Sequence, residues 1–287
     1  MRPSLLTPET IDRYLADGHW SRETMIDRYR AFARTVPERT ACLDETDTFS
    51  WEALDRVTDT LAANLIALDL ERDSTALVQT ASSCREVLIR IAFKKAGLIG
   101  AFAPLQWRRK EMDDVAERIA PSLLIADATT LDMSADIRRR VDLSNSGAAG
   151  WIDWDRLLDP DEAEIPDDRP FAFDEISLIT VSSGTSGIAK LCEWPEAAQI
   201  CMGRVIGERM GFRDDDTVGV FAPMAGAAGL LVWTVSATTP CTFVFPSSYH
   251  ADHLLDLAER RQITIATTVP VILARLAQEA SGSHDLS

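Results

Sequence analysis

The sequence predicts an α/β fold, with parallel-rich sheets flanked by helices in two subdomains. Three observations carry this. Short apolar runs of strand length alternate with segments of helical apolar spacing along most of the 287 residues. The alternation breaks once, at a polar, acidic, proline-bearing stretch spanning 128–175, and then resumes. Strand–helix–strand order favours parallel pairing through right-handed crossovers, and ligands in such sheets bind beyond the carboxyl ends of the strands.

Taken in order, "ACLDETDTFSW" predicts two short strands joined at Glu45-Thr46-Asp47, with Ser50 placed to cap the next helix. That helix runs over 51–70, with apolar residues at 51, 54, 57, 61, 65 and 68. A strand at 74–80, a helix at 84–99, the strand "AFAPL", a helix at 109–119 and a strand at 122–127 follow. The stretch 128–175 is expected to be a surface connection with one short tryptophan-containing element. Beyond it come a strand at 176–182, a helix near 195–211, a strand at 217–222 and an apolar helix near 227–238. The pattern closes with a strand at 241–245, a helix at 251–261, a strand at 262–267 and a helix at 270–280. The expected division is a first subdomain over 1–174, acidic connector included, and a second over 175–287.

Composition narrows the functions. A net charge of −16 argues against a broad nucleic-acid surface, which would present a basic face. No run approaches the roughly 20 apolar residues of a membrane span, and acids and Arg13 interrupt the N-terminus before a signal-peptide core can form. The expected location is therefore cytoplasmic. Cysteines at 42, 84, 192, 201 and 241 form no Cys-x-x-Cys pair and read as reduced, buried small hydrophobes. The four histidines are too dispersed for a metal site, and no metal ligand is assigned. Asp214-Asp215-Asp216 and Asp161-Glu162 read as solvated turns, and Trp151 and Trp154 as packing residues. Arginine is abundant while lysine stands only at 94, 95, 110 and 190, which raises interest in Lys190.

Lys190 ends the stretch "SLITVSSGTSGIAK". Gly184 and Gly187 let a ligand approach the main chain. Ser182, Ser183, Thr185 and Ser186 add hydroxyl donors, and successive amides in such turns make anion-binding concavities. Lys190 adds a positive charge on a flexible stem. Together they describe a polyphosphate cradle, although a serine- and glycine-rich surface turn with an incidental lysine has the same composition. It is not a Walker loop, because only two residues separate the glycines and Leu191 follows the lysine. Ser183 as a nucleophile would need a Gly-x-Ser-x-Gly elbow, which is absent.

"VSSGTSGIAK" resembles the phosphate loop of the adenylate-forming superfamily: acyl-CoA synthetases, aryl-acid AMP ligases and nonribosomal adenylation domains. The match holds at Ser182, Ser183, Gly184, Thr185, Ser186, Gly187 and Lys190, and departs at Ala189, where that pattern usually has proline. "FSWEALDRVTDTLAANL", "FKKAGLIGAFAPLQWRRKEMDDVAERIAPSLLIAD", "APMAGAAGL" and "ITIATTVPVILARLAQ" resemble further segments, so the likeness runs from about residue 20 to the end. The opening "RYLADGHWSRETMIDRY" is most similar to the aryl-acid and cyclic-acid branch.

The resemblance implies the N-terminal part of an ATP-dependent carboxylate ligase. ATP and Mg2+ would serve an acyl-adenylate step, and CoA or a carrier-protein thiol would accept the acyl group. Thr185, Ser186 and Lys190 would then bind the β- and γ-phosphates, with Ser182, Ser183, Gly184 and Gly187 shaping the cradle. None of these is an acid or a base, and no catalytic residue is assigned within this portion. Ala225, Gly226, Ala227 and Gly229, with Val269 and Pro270, would wall the acid. Their small size either leaves room for a bulky or cyclic acyl group or lets a helix pack closely on the sheet. The superfamily's adenine and ribose segments, hinge and mobile-domain lysine have no counterpart here. The chain is accordingly expected to be an N-terminal portion, incomplete at its C-terminus, that needs the rest of the polypeptide and is poorly active alone. A small carboxylic acid is the expected partner, and a homodimer is left open. The competing readings are a non-catalytic binding or scaffold protein with this fold, and another phosphate-binding enzyme.

Overall fold

The computed structural model describes residues 6–160, 164–182 and 189–279, with only the main chain of Ser182. The elements in chain order begin with α1 (Pro8–Ala16), α2 (Met25–Thr35), β1 (Thr40–Leu43), β2 (Thr48–Ser50), α3 (Trp51–Ile66), β3 (Thr75–Gln79) and α4 (Cys84–Ala96). Next come β4 (Ile99–Ala103), α5 (Arg109–Ile119), β5 (Leu123–Ala126), β6 (Arg139–Asp142), β7 (Ile152–Asp153) and a 3-10 turn (Trp154–Leu157). The remainder is β8 (Ile176–Ser182), β9 (Lys190–Pro195), α6 (Glu196–Met210), β10 (Thr217–Phe221) and α7 (Ala227–Val235). Last are β11 (Thr242–Val244), α8 (Ala251–Arg261), β12 (Ile265–Thr268) and α9 (Pro270–Glu279).

Seven strands form one sheet in the order β7-β6-β5-β3-β4-β8-β9, parallel except for the edge strand β9. Every residue of β3, β4 and β5 is buried, as expected of parallel strands covered on both faces. One face packs Leu77, Ala101, Leu124, Ile179 and Val181 against Met112, Val115 and Ile119 of α5. Five strands form the other sheet, in the order β12-β10-β11-β1-β2, parallel except for β2. There Phe221 and Val244 pack against Leu254 and Leu257 of α8 and Ile272 of α9. Ser50 caps α3 as expected, its hydroxyl accepting the Ala53 amide at 3.2 Å.

The two compact units interleave along the chain. One comprises 1–26, 56–81 and 88–199, the other 27–55, 82–87 and 200–287. A single cut at 174/175 does not describe them. β8 lies beside β4 in the seven-stranded sheet, and β1 lies beside β11 in the five-stranded one. Parallel partners are joined by long crossovers, so sequence neighbours need not share a sheet.

The segment 128–175 also differs from a plain surface connection, because it holds β6 and β7. Arg139-Arg140-Val141-Asp142 lacks a strand's apolar alternation, and its end is held by a buried carboxylate. Asp142 accepts the amides of Ala128, Ser144 and Ser146 at 2.8–3.0 Å and the hydroxyls of Ser144 and Ser146 at 2.6–2.7 Å. Burial opposes its charge, but these hydrogen bonds outweigh it and hold the carboxyl well below the usual carboxylate range. Replacing Asp142 by alanine orphans buried donors and is expected to cost about 2–4 kcal/mol in urea unfolding. Because the folded pKa is depressed, this contribution is complete above the unfolded value near pH ~3.9 and is lost as pH falls below it. The gap between the parent and Asp142→Ala should therefore narrow in acid.

Other expectations divide. Trp154 is buried and Trp151 packs on the core beside α5. Cys42, Cys84 and Cys241 are buried, but Cys192 is exposed on the edge strand β9. Asp216 is no solvated turn. It is 3% exposed, and it accepts the Arg213 amide at 2.6 Å and the Thr264 hydroxyl at 2.7 Å, stitching β10 to the entry of β12. Asp161 and Glu162 lie outside the described residues. The opening segment, to which the sequence pattern assigned no element, forms α1 and α2. No helix among the described residues is long and apolar enough to cross a membrane.

Candidate nucleotide and acid site

β8 and β9 form an antiparallel hairpin whose strands end and begin at Ser182 and Lys190, paired with each other. Ser183, Gly184, Thr185, Ser186 and Gly187 lie outside the described residues. β8 runs parallel to β4 and β3, so the 182–190 connection leaves the carboxyl edge of the seven-stranded sheet. This is the edge where open α/β sheets receive ligands. Lys190 is exposed, while its neighbours Ala189 and Leu191 pack into the core facing α5. The Arg118 guanidinium of α5 donates to the Ala189 carbonyl, fixing the chain just before the lysine. The sequence predicted a helix from about 195 and missed β9, because "KLCEWP" is short and follows the loop directly.

At the base of this hairpin lies a buried polar cluster that the sequence did not single out. Lys94 of α4 is 4% exposed in its side chain, Glu196 of α6 only 1%, and the two are ion-paired. Lys94 Nζ also reaches Ser177 Oγ at 2.9 Å and Gln199 Oε1 at 3.0 Å. Ser177 donates to the same Glu196 oxygen and accepts from Gln199 Nε2 at 2.9 Å. The other Glu196 oxygen accepts the Met25 amide at 2.9 Å. Burial pushes the Lys94 pKa down, opposed by Glu196. The scarcity of lysine was the available signal, but it pointed equally at 94, 95, 110 and 190.

The small-residue turn belongs to the other unit. Phe221 at the end of β10 pairs with Thr268 at the end of β12, so the segments after these parallel strands leave side by side. This brings Ala225, Gly226, Ala227 and Gly229 to the same sheet edge as Val269 and Pro270. The turn is held by the Gly226 amide donating to Pro223 O at 2.9 Å and the Met224 amide donating to Ser82 Oγ at 2.7 Å. Gly226 N-caps α7, its carbonyl accepting the Leu230 amide at 3.0 Å. Val269 O accepts the Ile272 and Leu273 amides, with Pro270 in the first position of α9. Ser82 comes from a loop far away in sequence, and no local pattern marks it. Tyr249 of this unit is pushed up to about 12 by burial, although the Ser82 hydroxyl opposes the shift.

The two explanations for the small residues separate by position. A Cβ on Gly229 would lie 2.4 Å from Pro223 O and 2.6 Å from the Met224 backbone, so this glycine serves close packing. A Cβ on Gly226 would meet only Pro223 O, at 3.3 Å, and the residue is exposed with ordinary extended dihedrals. Gly229→Ala is expected to cost about 1–3 kcal/mol in denaturant unfolding, as overpacking does, whereas Gly226→Ala should stay within ~0.5 kcal/mol of the parent.

Among the described residues, no group of three or more His, Cys, Asp or Glu could hold a metal ion. His250 caps α8, and His253 faces Glu45 at 3.7 Å. The exposed ammonium at the hairpin's carboxyl edge suits phosphate oxygens.

Comparisons with known proteins agree with this architecture. The Mycobacterium smegmatis MbtA apo structure superposes with a TM-score of 0.88 at 21% identity, over 96% of this chain and 54% of its own. Enterobactin synthase component E of Escherichia coli (strain K12) is 24% identical over 288 residues, covering 90% of this chain and 50% of that protein. A 2-hydroxy-7-methoxy-5-methyl-1-naphthoate–CoA ligase from Streptomyces carzinostaticus is 23% identical over 294 residues, covering 93% and 51%. The chain thus spans about half the length of these two curated relatives. With the model for AMP-binding enzymes matching residues 29–287, the chain belongs to the AMP-binding enzyme family.

Proposed function

We propose that this chain supplies the phosphate-holding and acid-holding part of an ATP-dependent carboxylate ligase. The observation that carries the reading is the β8–β9 hairpin, which presents an exposed Lys190 opposite Ser182 at the carboxyl edge of a parallel sheet in a chain of the AMP-binding family. In the first step a carboxylate oxygen of the acid bonds to the α-phosphorus of ATP. The bond from that phosphorus to the bridging oxygen breaks, and pyrophosphate leaves with the electron pair. In the second step a thiol, of CoA or a carrier protein, attacks the acyl carbon, loses its proton and displaces AMP. Lys190, with Thr185 and Ser186, neutralises charge on the departing phosphates, while Ser182, Ser183, Gly184 and Gly187 shape the cradle. Magnesium, when bound, would share that charge.

The acid is read as aryl or cyclic. The open position at Gly226, the small Ala225 and Ala227 beside it, and Val269 with Pro270 at the same sheet edge support a roomy wall. The similarity to a naphthoate–CoA ligase points the same way. The test is exchange of labelled pyrophosphate into ATP that depends on added carboxylic acid, run on this chain and on any longer product of its gene. Exchange with aryl or cyclic acids is expected, and Gly226→Trp should shift preference toward smaller acids. No acid-dependent exchange by any product would sink the ligase reading, and an unchanged size preference would sink the pocket assignment. A second reading keeps the exposed Lys190 at the carboxyl edge but not the chemistry, and is a binding protein that holds nucleotide without turnover. Lys190-dependent ATP binding without exchange would support it.

A further inference from the structure

We infer that the buried Lys94–Glu196–Gln199 cluster sets the register of the β8–β9 hairpin by holding Ser177 as a β-bulge, and so determines which face Lys190 occupies. Leu178 pairs with Trp194 and Ser182 with Lys190, in unbroken register between them. One step toward the base, Ile176 pairs with Pro195, leaving Ser177 as an extra residue on β8. If the pairing at Ile176 continued without the bulge, Val181 and not Ser182 would lie opposite Lys190. Val181 belongs to the core facing α5, and cross-strand partners share a face, so the slip would carry the ammonium toward that core. In the bulged register Val181 pairs with Leu191 on the core side, and Lys190 stays in solvent.

Ser177 is the residue on which the cluster converges. Its hydroxyl donates to Glu196 and accepts from Lys94 and Gln199, which fills its hydrogen-bonding capacity while it is 3% exposed. A bulge shifted along β8 would break all three bonds and leave a buried ion pair short of partners. Lys94, Glu196 and Gln199 are thus positioning residues. Their consequence for nucleotide rests on the phosphate-holding role proposed for Lys190, but their effect on register does not.

Register can be read without nucleotide. Thr180 pairs with the exposed Cys192, so Thr180→Cys creates a cross-strand cysteine pair. With copper phenanthroline as oxidant, a 180–192 disulfide is expected and is identified by peptide mass. Ser177→Ala, and separately the neutral double variant Lys94→Met/Glu196→Gln, should cut that yield roughly fivefold or more, because a one-residue slip puts the two thiols on opposite faces. Ser177→Thr, which keeps the hydroxyl, should retain it. Asp142→Ala, destabilised elsewhere in the same unit, should also retain it, which separates a register effect from a loss of stability. Undiminished crosslinking in Ser177→Ala and the double variant would overturn the inference, as would its loss in Asp142→Ala. So would a Thr180→Cys parent that fails to crosslink. If register shifts while ATP binding proves independent of Lys190, the register lock stands and the phosphate-holding role falls.

Discussion

Lys94→Met is expected to lower the unfolding free energy by about 3–5 kcal/mol, the cost typical of removing one partner from a buried ion pair. The side chain is almost wholly buried, and so is Glu196. Methionine would replace its volume but leave the Glu196 carboxylate with the Ser177 hydroxyl and the Met25 amide alone. An uncompensated charge in that setting must either take up a proton or draw in water. The double variant Lys94→Met/Glu196→Gln removes both charges at once and is expected to recover part of the loss, the remainder being the cost of the released hairpin register. Urea-induced unfolding of the parent, both single variants and the double variant closes the cycle. A single-variant loss below ~1 kcal/mol would mean that the pair is solvated, contrary to its burial.

Lys190→Ala is expected to weaken ATP binding roughly tenfold to a hundredfold, from the loss of about 1.5–3 kcal/mol of charge-assisted hydrogen bonding to phosphate. The effect should shrink as salt is raised, because the ammonium is exposed and its attraction is screened. Lys110, exposed on α5, is the control: Lys110→Ala should bind as the parent does. Binding can be followed by calorimetry with ATP alone, before any question of turnover. Equal affinity for Lys190→Ala and the parent would remove the phosphate-holding role and favour a scaffold.

Much of the fold is legible in the residue pattern because local physics decides it. Arg109–Ile119, Ile176–Ser182 and Ala251–Arg261 follow the predicted bounds, since amphipathic spacing and uninterrupted apolar runs are properties of the segment itself. The glycine- and hydroxyl-rich run ending at Lys190 is equally local, and it carries the family likeness. β6 and β9 were not legible. Arg139–Asp142 is a strand because β5 and β7 pair with it, its end pinned by the hydrogen bonds that gather on Asp142, and Lys190–Pro195 because β8 offers it an edge. Neither reason exists in the segment alone.

Local residue pattern is enough to establish a parallel-rich α/β chain of the adenylate-forming type, with a glycine- and hydroxyl-rich run that ends at Lys190. Tertiary structure alone decided how the elements sort into two interleaved units, and that β10 and β12 bring Gly226 and Val269 to one edge. It also decided that Gly229 is demanded by the Pro223 carbonyl, and that Lys94, Ser177, Glu196 and Gln199 meet at the base of the hairpin. The physical reason is range. Propensity and periodicity act over a few residues, whereas a buried ion pair between positions 94 and 196 exists only once packing has excluded water from both.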